Sequence, residues 1–427
     1  MQVLLIVLLI VVLLALRVPV GIALAAGGSL GLYLMGGSTL LKGILQSAPS
    51  MAASYSLTPI PLFILMAQFV LAAGAMTGIF KAAQIWVGRV RGGTGVATTL
   101  SGAVFGAVSG STTAAAATLA RTTCKELINE GYNPKIATGL VAVAGTLAAM
   151  VPPSIILIFY AVLAEVSVAR VLIAGFLPAV LVTLAIIVTL VIIMAIRPEY
   201  APRGTAYSFR EKLASAPSVL PVLFLFGIVI GTMYFGIATP TESAALGALG
   251  AFLLYATTKN FSWQGVGKAL VDATRASVMI LLIIIGAAIL GYFITMSGVA
   301  QAAVDLVSAI QAPALVIIVV IAIFYIILGF FMEQMAILAL TVPIVLPVIM
   351  ELGYDPIWFG VFVVLLAEIG LVSPPLGLNV FVVSRAADRD AGEVFVGALP
   401  FVVSILAVVA LFAVFPEMAL WLPNSLS

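Results

Sequence analysis

The chain repeats its own helix-breaking signals about 222 residues apart. Gly131-Tyr132-Asn133-Pro134 is echoed by Gly353-Tyr354-Asp355-Pro356, and Pro152-Pro153 by Pro374-Pro375. At the same offset, and without a gap, Val141 meets Val363 and Phe159 meets Phe381. Pro19 has a near-counterpart in Pro240. Each Pro-Pro pair lies deep in a hydrophobic run, where proline removes a backbone donor and interrupts a helix. Such a chain is constrained to two related halves, each with a broken helix at its centre.

Composition turns this into a membrane problem. At 64% hydrophobic and 8% charged, the chain lacks the charge of a soluble domain. Recurrent apolar stretches of about 20 residues predict an all-α polytopic protein in a lipid bilayer. The alternating segments of about ten residues that mark a β-barrel do not occur. Length alone suggests more than one domain, but the duplication favours one intertwined bundle. With no histidine, Ser–His and Cys–His pairs, haem ligation and most zinc sites drop out. Cys124, alone, has no intrachain disulfide partner. Residues 2–16 are apolar and Arg17 follows rather than precedes them, so they read as a retained first span and not as a signal peptide. An apolar membrane chain made of two halves with matched broken helices carries the signature of a secondary transporter.

The first half, residues 1–196, is expected to hold spans near 2–16, 18–35 and 58–76. An amphipathic segment follows at 78–91, with Lys81, Gln84, Gly88 and Arg91 on one face and Phe80, Trp86 and Val90 opposite. Residues 95–127 form two half-helices broken at Ser109-Gly110-Ser111, 135–165 a helix interrupted at Pro152-Pro153, and 169–196 a further span. A polar linker at 197–215 carries Arg197, Arg203, Arg210 and Lys212. The second half, 216–427, repeats the order: spans at 216–236, 239–257 and 276–295, an amphipathic segment at 298–311, a broken pair at 313–350, an interrupted helix at 356–385 and a last span at 393–415.

Five crossings per half is an odd number, so the second half should be inverted. Lys and Arg concentrate on cytoplasmic loops. With the N-terminus outside and the linker in the cytoplasm, only Lys42 and Arg170 of the 18 basic residues fall outside, a division of 16 to 2. Half-helices of 14 to 17 residues reach about 21–25 Å, short of a hydrocarbon core of about 30 Å. Re-entrant hairpins are therefore expected, although two tilted crossings would leave the same loop charges.

Unwound backbone at membrane depth must be satisfied by protein, water or an ion. Four stretches offer it: Ser109 through Thr112, Gly145 through Ser154, Gly329 through Glu333, and Gly370 through Leu376. Carbonyls and Ser or Thr hydroxyls there suit Na⁺, and helix N-termini favour an anion. Alternatively, Pro-Pro only kinks a helix and Gly-Ser pairs only allow close packing; recurrence at matched positions argues for a shared site. Thr239 and Glu242, with Pro240 between, spell a capping box. Glu333 has no such spacing, and an intramembrane acid is a functional candidate by default. Glu368, before the Gly370 break, is a cation ligand, a holder of a hairpin tip, or a structural carboxylate.

At these motifs the chain resembles the large membrane subunit of TRAP (tripartite ATP-independent periplasmic) transporters. The resemblance is carried in order by GAVSGSTTA at 106–114, GTLAAMVPPS at 145–154, FGIATPTESAALGA at 235–248, GFFMEQMAILALTVPIVLP at 329–347 and EIGLVSPPLGLN at 368–379. It implies an elevator-type, Na⁺-driven importer of organic anions, carboxylates or acidic sugars, in the bacterial inner membrane. It also implies a periplasmic substrate-binding protein and a small four-helix membrane subunit, here expected as a separate polypeptide; no nucleic acid is expected to bind. By the same resemblance, one Na⁺ site would join the Ser109–Ser111 tip to Gly145, Ala148 and Val151. A second would join Gly329 to Gly370, Ser373 and Leu376. The substrate would lie near Ser154 and Asn379, with Thr112 and Glu333 beside it. Three positions depart from the family pattern: Ala148 where Gly is commoner, Glu333 where Asp is, and Ser373 where Thr is.

Three rival readings stand beside this one. A dicarboxylate carrier working without a binding protein would share the architecture. An intramembrane hydrolase with Ser109 or Ser111 as nucleophile would lack a His or membrane-depth Lys base. A passive channel fits inverted halves less well. No Arg stands at the proposed site to name the anion.

Overall fold

The repeated Gly-Tyr-Asx-Pro motif becomes the same helix start twice. Gly131 and Gly353 take φ of +95° and +81°, the left-handed region open to glycine. Asn133 then accepts from the Lys135 amide at 3.0 Å, and Asp355 from the Ile357 amide at 2.6 Å. Pro134 and Pro356 occupy the first helical position, where a missing N–H costs nothing. Each cap launches a helix of 17 residues, Pro134–Met150 and Pro356–Val372, that ends at its Pro-Pro pair. Both Pro-Pro peptide bonds are cis. The chain resumes as Ile155–Leu163, bent by 46° from its first segment, and as Leu378–Ala387.

The computed structural model describes residues 2–202, 204–310 and 312–425, without the side chains of 47–49, 51–52 and 107–109. Arg203 of the linker therefore lies outside the described residues, as does the Ser109 side chain. Among the described residues all regular structure is helical, and seven helices are long and apolar enough to cross a membrane, or up to nine if each bent pair is one span.

Several expected boundaries move. The second span does not stop near 35: Val20–Ala52 stays helical through a kink at Gly36 and Gly37. The span expected at 276–295 is Trp263–Ser297, begun by a Ser262 cap that accepts from Gly265 N at 3.0 Å. Its extra turns persist because Ala269, Ala273, Ser277 and Ile280 continue a buried stripe beneath Lys268 and Arg275. The arms of the second broken pair, Ala314–Phe331 and Gln334–Glu351, have 18 residues each, so they are longer than expected and length alone argues less for re-entry. The glycines named as break residues are also helical. Gly145 lies inside Pro134–Met150, Gly329 inside Ala314–Phe331 and Gly370 inside Pro356–Val372, and the chain unwinds only at 151–154, 332–333 and 373–377.

The halves exchange partners reciprocally. Val20–Ala52 packs along Trp263–Ser297, and Pro59–Ala72 packs on Pro240–Ala256. The first contact is a small-residue seam, where a Cβ on Gly28 would lie 2.8 Å from Leu290 Cα. The second includes Phe69 edge-on to Phe252 at 5.3 Å. The second long helix of one half thus meets the third of the other, and the third meets the second. The interrupted helix Pro134–Met150 in turn packs on the last long helix, Ala391–Val414.

Candidate functional site

Each broken pair places its tip on the interrupted helix of its own half. In the first, Gly93–Ser109 ends at Gly110, whose φ of +57° turns the chain and whose N–H donates to Gly106 O at 2.9 Å. Ser111 then caps Thr112–Leu119, accepting from Ala114 N at 3.5 Å. A Cβ on Gly110 would lie 2.7 Å from Ile155 Cγ1, the first helical residue after the Pro-Pro break. Gly106 leaves room for Ala148, since a Cβ there would lie 2.7 Å from the Ala148 nitrogen.

The second half repeats the arrangement with two glycines. A Cβ on Gly329 would sit 2.8 Å from Gly370 Cα, so the two backbones touch. Glu333 caps Gln334–Glu351 by accepting from Met335 N at 3.0 Å, and the residue is exposed at the tip. Gln334, next to it, is buried and donates its amide to Glu368 Oε1 on the interrupted helix. Glu368 is buried as well, and its Oε2 has no partner. The hairpin arms are tied by Tyr325, whose hydroxyl donates to Thr341 Oγ1 at 2.7 Å.

Proline chemistry makes the breaks polar. Pro152 has no N–H for the Ala148 carbonyl, and Pro374 none for that of Gly370. Pro153 and Pro375 deny the Ala149 and Leu371 carbonyls in the same way. Ser154 repairs one loss by donating to Ala149 O, and also accepts from Leu157 N at 3.3 Å. Ser373 N reaches Gly370 O at 3.3 Å while its hydroxyl donates to Ile369 O at 2.7 Å. Val151, partly buried, spends its N–H on Leu147 O at 3.0 Å.

The two halves then meet. Leu378–Ala387 packs on Thr112–Leu119 and Pro134–Met150, and Gln334–Glu351 packs on Ile155–Leu163. The elements that carry the tips and breaks therefore pack on one another across the two halves. Asn379, in the first turn of Leu378–Ala387, is fully buried, and neither its Oδ1 nor its Nδ2 has a partner. Buried amides are nearly always satisfied, so such a group has unmet hydrogen-bonding capacity for a polar guest. Thr112, the first residue of Thr112–Leu119, is buried as well. The openings are unequal: Pro152, Pro153 and Ser154 are buried, whereas Pro374, Pro375 and Leu376 are exposed.

Every break joins a helix C-terminus, with its surplus of carbonyls, to a helix N-terminus, with its surplus of amides. The first attracts cations and the second anions. The available ligands are oxygens, and no group of three His, Cys, Asp or Glu gathers among the described residues. This donor chemistry fits a hard cation such as Na⁺ rather than a transition metal.

The capping box read in the sequence forms. Thr239 and Glu242 form a reciprocal cap, with Thr239 N donating to Glu242 Oε2 at 2.8 Å and Glu242 N to Thr239 Oγ1 at 3.3 Å, away from the breaks. Gly145 stands against Ala116, where a Cβ would lie 2.7 Å from Ala116 Cβ. Gln334 is not singled out in the sequence, and Leu371 enters there only as part of the stretch from Gly370 through Leu376. A glutamine in GFFMEQMAILAL and the second proline of each pair were the signals available.

A family model described as the tripartite ATP-independent periplasmic transporter, DctM component, matches residues 7–418. The C4-dicarboxylate TRAP transporter large permease protein DctM of Pseudomonas aeruginosa is 33% identical over 371 residues, 87% of this chain and 86% of that one. The sialic acid TRAP transporter large permease protein SiaM of Vibrio cholerae is 31% identical over 407 residues, 95% of each chain. Among solved structures, the YdaH transporter of Alcanivorax borkumensis superposes with a TM-score of 0.66 at 14% identity, covering 88% of this chain and 89% of that one. At that identity the likeness concerns the fold.

Proposed function

The chain belongs to the DctM component family of tripartite ATP-independent periplasmic transporters, and from that premise we propose that it imports an organic anion by Na⁺-coupled alternating access. It is a large, multi-pass membrane subunit of such a transporter. Its relatives are permease subunits rather than enzymes, which leaves the hydrolase reading of Ser109 or Ser111 without support. Residues 1–196 and 216–427 are read as inverted repeats joined by the cytoplasmic linker 197–215. The reciprocal exchange of helices between halves supports this, because a two-fold relation would produce it.

The observation that carries the proposal is that each tip seats on the broken helix of its own half while the broken elements pack across the halves, with Asn379 in one of them buried and unpaired. The tip at Gly110 meets Ile155 near the middle of an interrupted helix. A tip at mid-helix supports a re-entrant hairpin, since its arms turn back before crossing. In the proposed mechanism the hairpins and interrupted helices move together against the long-helix scaffold. One Na⁺ would use the Ser109–Ser111 tip with carbonyls from Gly145 to Val151, and a second the Gly329–Glu333 tip with Gly370, Ser373 and Leu376. The anion would lie by Ser154, Asn379, Thr112 and Glu333. The one-sided exposure of the second break supports a carrier caught open on one side. A carboxylate is the favoured substrate, because the DctM and SiaM relatives are named for C4-dicarboxylate and sialic acid. A periplasmic binding protein and a small membrane subunit are the partners the family implies.

Proteoliposomes holding the chain with both partners test this. Uptake of C4-dicarboxylate or sialic acid should require an inward Na⁺ gradient. Glu333→Asp, which keeps the cap, should stay within about threefold of the parent, whereas Glu333→Ala should lower uptake at subsaturating Na⁺ by about tenfold, or ~1.4 kcal/mol. Uptake that ignores Na⁺ in the parent protein would refute the coupling.

A further inference from the structure

In the first amphipathic helix, Ala75–Val87, Lys81 is exposed but Gln84 does not share that solvated face. Phe80 is buried as expected, but Trp86 and Val90 are exposed, and half-buried Gln84 turns into the protein. Gln84 Nε2 donates to Glu130 Oε1 at 3.0 Å and to Glu126 Oε1 at 3.2 Å, and lies 3.5 Å from Thr94 Oγ1. Glu126 and Glu130 stand one turn apart where the second arm of the first hairpin ends. Thr94 stands where the first arm begins. One side chain therefore gathers both ends of the hairpin onto the amphipathic helix.

Two carboxylates this close repel, and burial together with Glu126 pushes the Glu130 carboxyl above its ordinary range, against lowering by hydrogen bonds from Thr94 and Gln84. Among the described residues no Lys or Arg nitrogen lies within ion-pair distance of either. The basic groups nearest in sequence, Lys81, Arg89, Arg121, Lys125 and Lys135, are exposed, and Arg91 is half-buried. An amide NH₂ offers two donors, enough to serve both acids. The second amphipathic helix, Val299–Ile310, is built differently. None of its residues is buried, and its Gln301 donates to Asp305 of the same helix at 2.9 Å.

We propose that Gln84 is a positioning residue: by bridging Glu126 and Glu130 it makes the first amphipathic helix and the first hairpin one rigid body, and leaves the second amphipathic helix as the compliant joint of the carrier. The transport consequence rests on the alternating-access reading above; the rigid tie does not.

Hydrogen exchange on the purified chain, without substrate or partners, reads the tie directly. Gln84→Leu should raise amide exchange across 75–87 several-fold, and Gln84→Lys, which keeps donors for both carboxylates, should restore protection. In the reconstituted system, Gln84→Leu should lower maximal uptake by about tenfold with the half-saturating substrate concentration changed less than about twofold. Rates are taken per folded, reconstituted carrier, because a role in folding alone would lower maximal uptake by lowering the number of carriers and leave the rate per carrier unchanged. Should Gln84→Leu fail to fold, Glu130→Leu cuts the same tie from the other end. Unchanged exchange in the variant, or full uptake despite raised exchange, overturns the proposal. A parent protein that transports without Na⁺ would sink the coupling and leave the exchange result valid.

Discussion

Gly370→Ala should cut uptake by at least about tenfold, while Ala148→Gly at the matched position of the first half should stay within about threefold. The asymmetry follows from what each added or lost methyl meets. At residue 370 a Cβ lands 2.6 Å from the Gly329 carbonyl carbon and 3.0 Å from its oxygen, so it strikes backbone that cannot rotate away. Overpacking of this kind typically costs about 1–3 kcal/mol. Here it pushes the second tip off the interrupted helix, displacing Glu333 and the Gln334–Glu368 pair. In the first half Gly106 already makes the room, and Ala148 is accommodated. Uptake rates of the two variants, measured at equal reconstituted amounts, decide this. Normal transport by Gly370→Ala would mean the second tip is not seated on its break.

Gly397→Leu should yield no folded protein after extraction. A Cβ at Gly397 would overlap the Lys135 carbonyl, and one at Gly139 would overlap the Gly397 backbone. This crossing fixes the interrupted helix of the first half against the last long helix of the second, and neither backbone can yield without parting the halves. Against a typical stability of about 5–15 kcal/mol, a forced separation of two helices is decisive. Gly231→Leu supplies the control, because a Cβ there meets nothing within 4 Å. Size-exclusion profiles in mild detergent should show a monodisperse peak for the control and aggregate or no peak for Gly397→Leu.

What could be read in the sequence was local. Gly131, Asn133 and Pro134, and their counterparts Gly353, Asp355 and Pro356, announce a left-handed turn, a cap and a first helical residue by their own chemistry. Pro-Pro marks a break because two donors are gone wherever the pair lies. Extent was less legible. Trp263–Ser297 continues past its apolar run because its small residues pack beneath charges, and hydropathy registers the charges first. Gly145, Gly329 and Gly370 read as unwound residues in the sequence, yet they stand in helices that approach closely, and a close approach depends on a partner in another helix, 29 residues away for Gly145 against Ala116 and 41 for Gly329 against Gly370. The sequence groups Gln84 with Lys81, Gly88 and Arg91 on one helical face, because periodicity gives a direction but cannot supply Glu126 and Glu130. The unequal exposure of the two breaks belongs to one arrangement of the whole molecule and leaves no trace in a duplicated sequence.

Alternating access is tested most directly by the side from which the first tip can be reached. Ala114 is exposed beside Ser111, and Cys124 is the chain's single cysteine. Ala114→Cys in a Cys124→Ala background should react with a membrane-impermeant thiol reagent from outside in right-side-out vesicles and from the cytoplasmic side in inverted ones. Na⁺ with substrate should shift the ratio of the two rates several-fold. Labelling from one face only, unchanged by Na⁺ and substrate, would contradict a carrier that moves these tips between the two sides of the membrane.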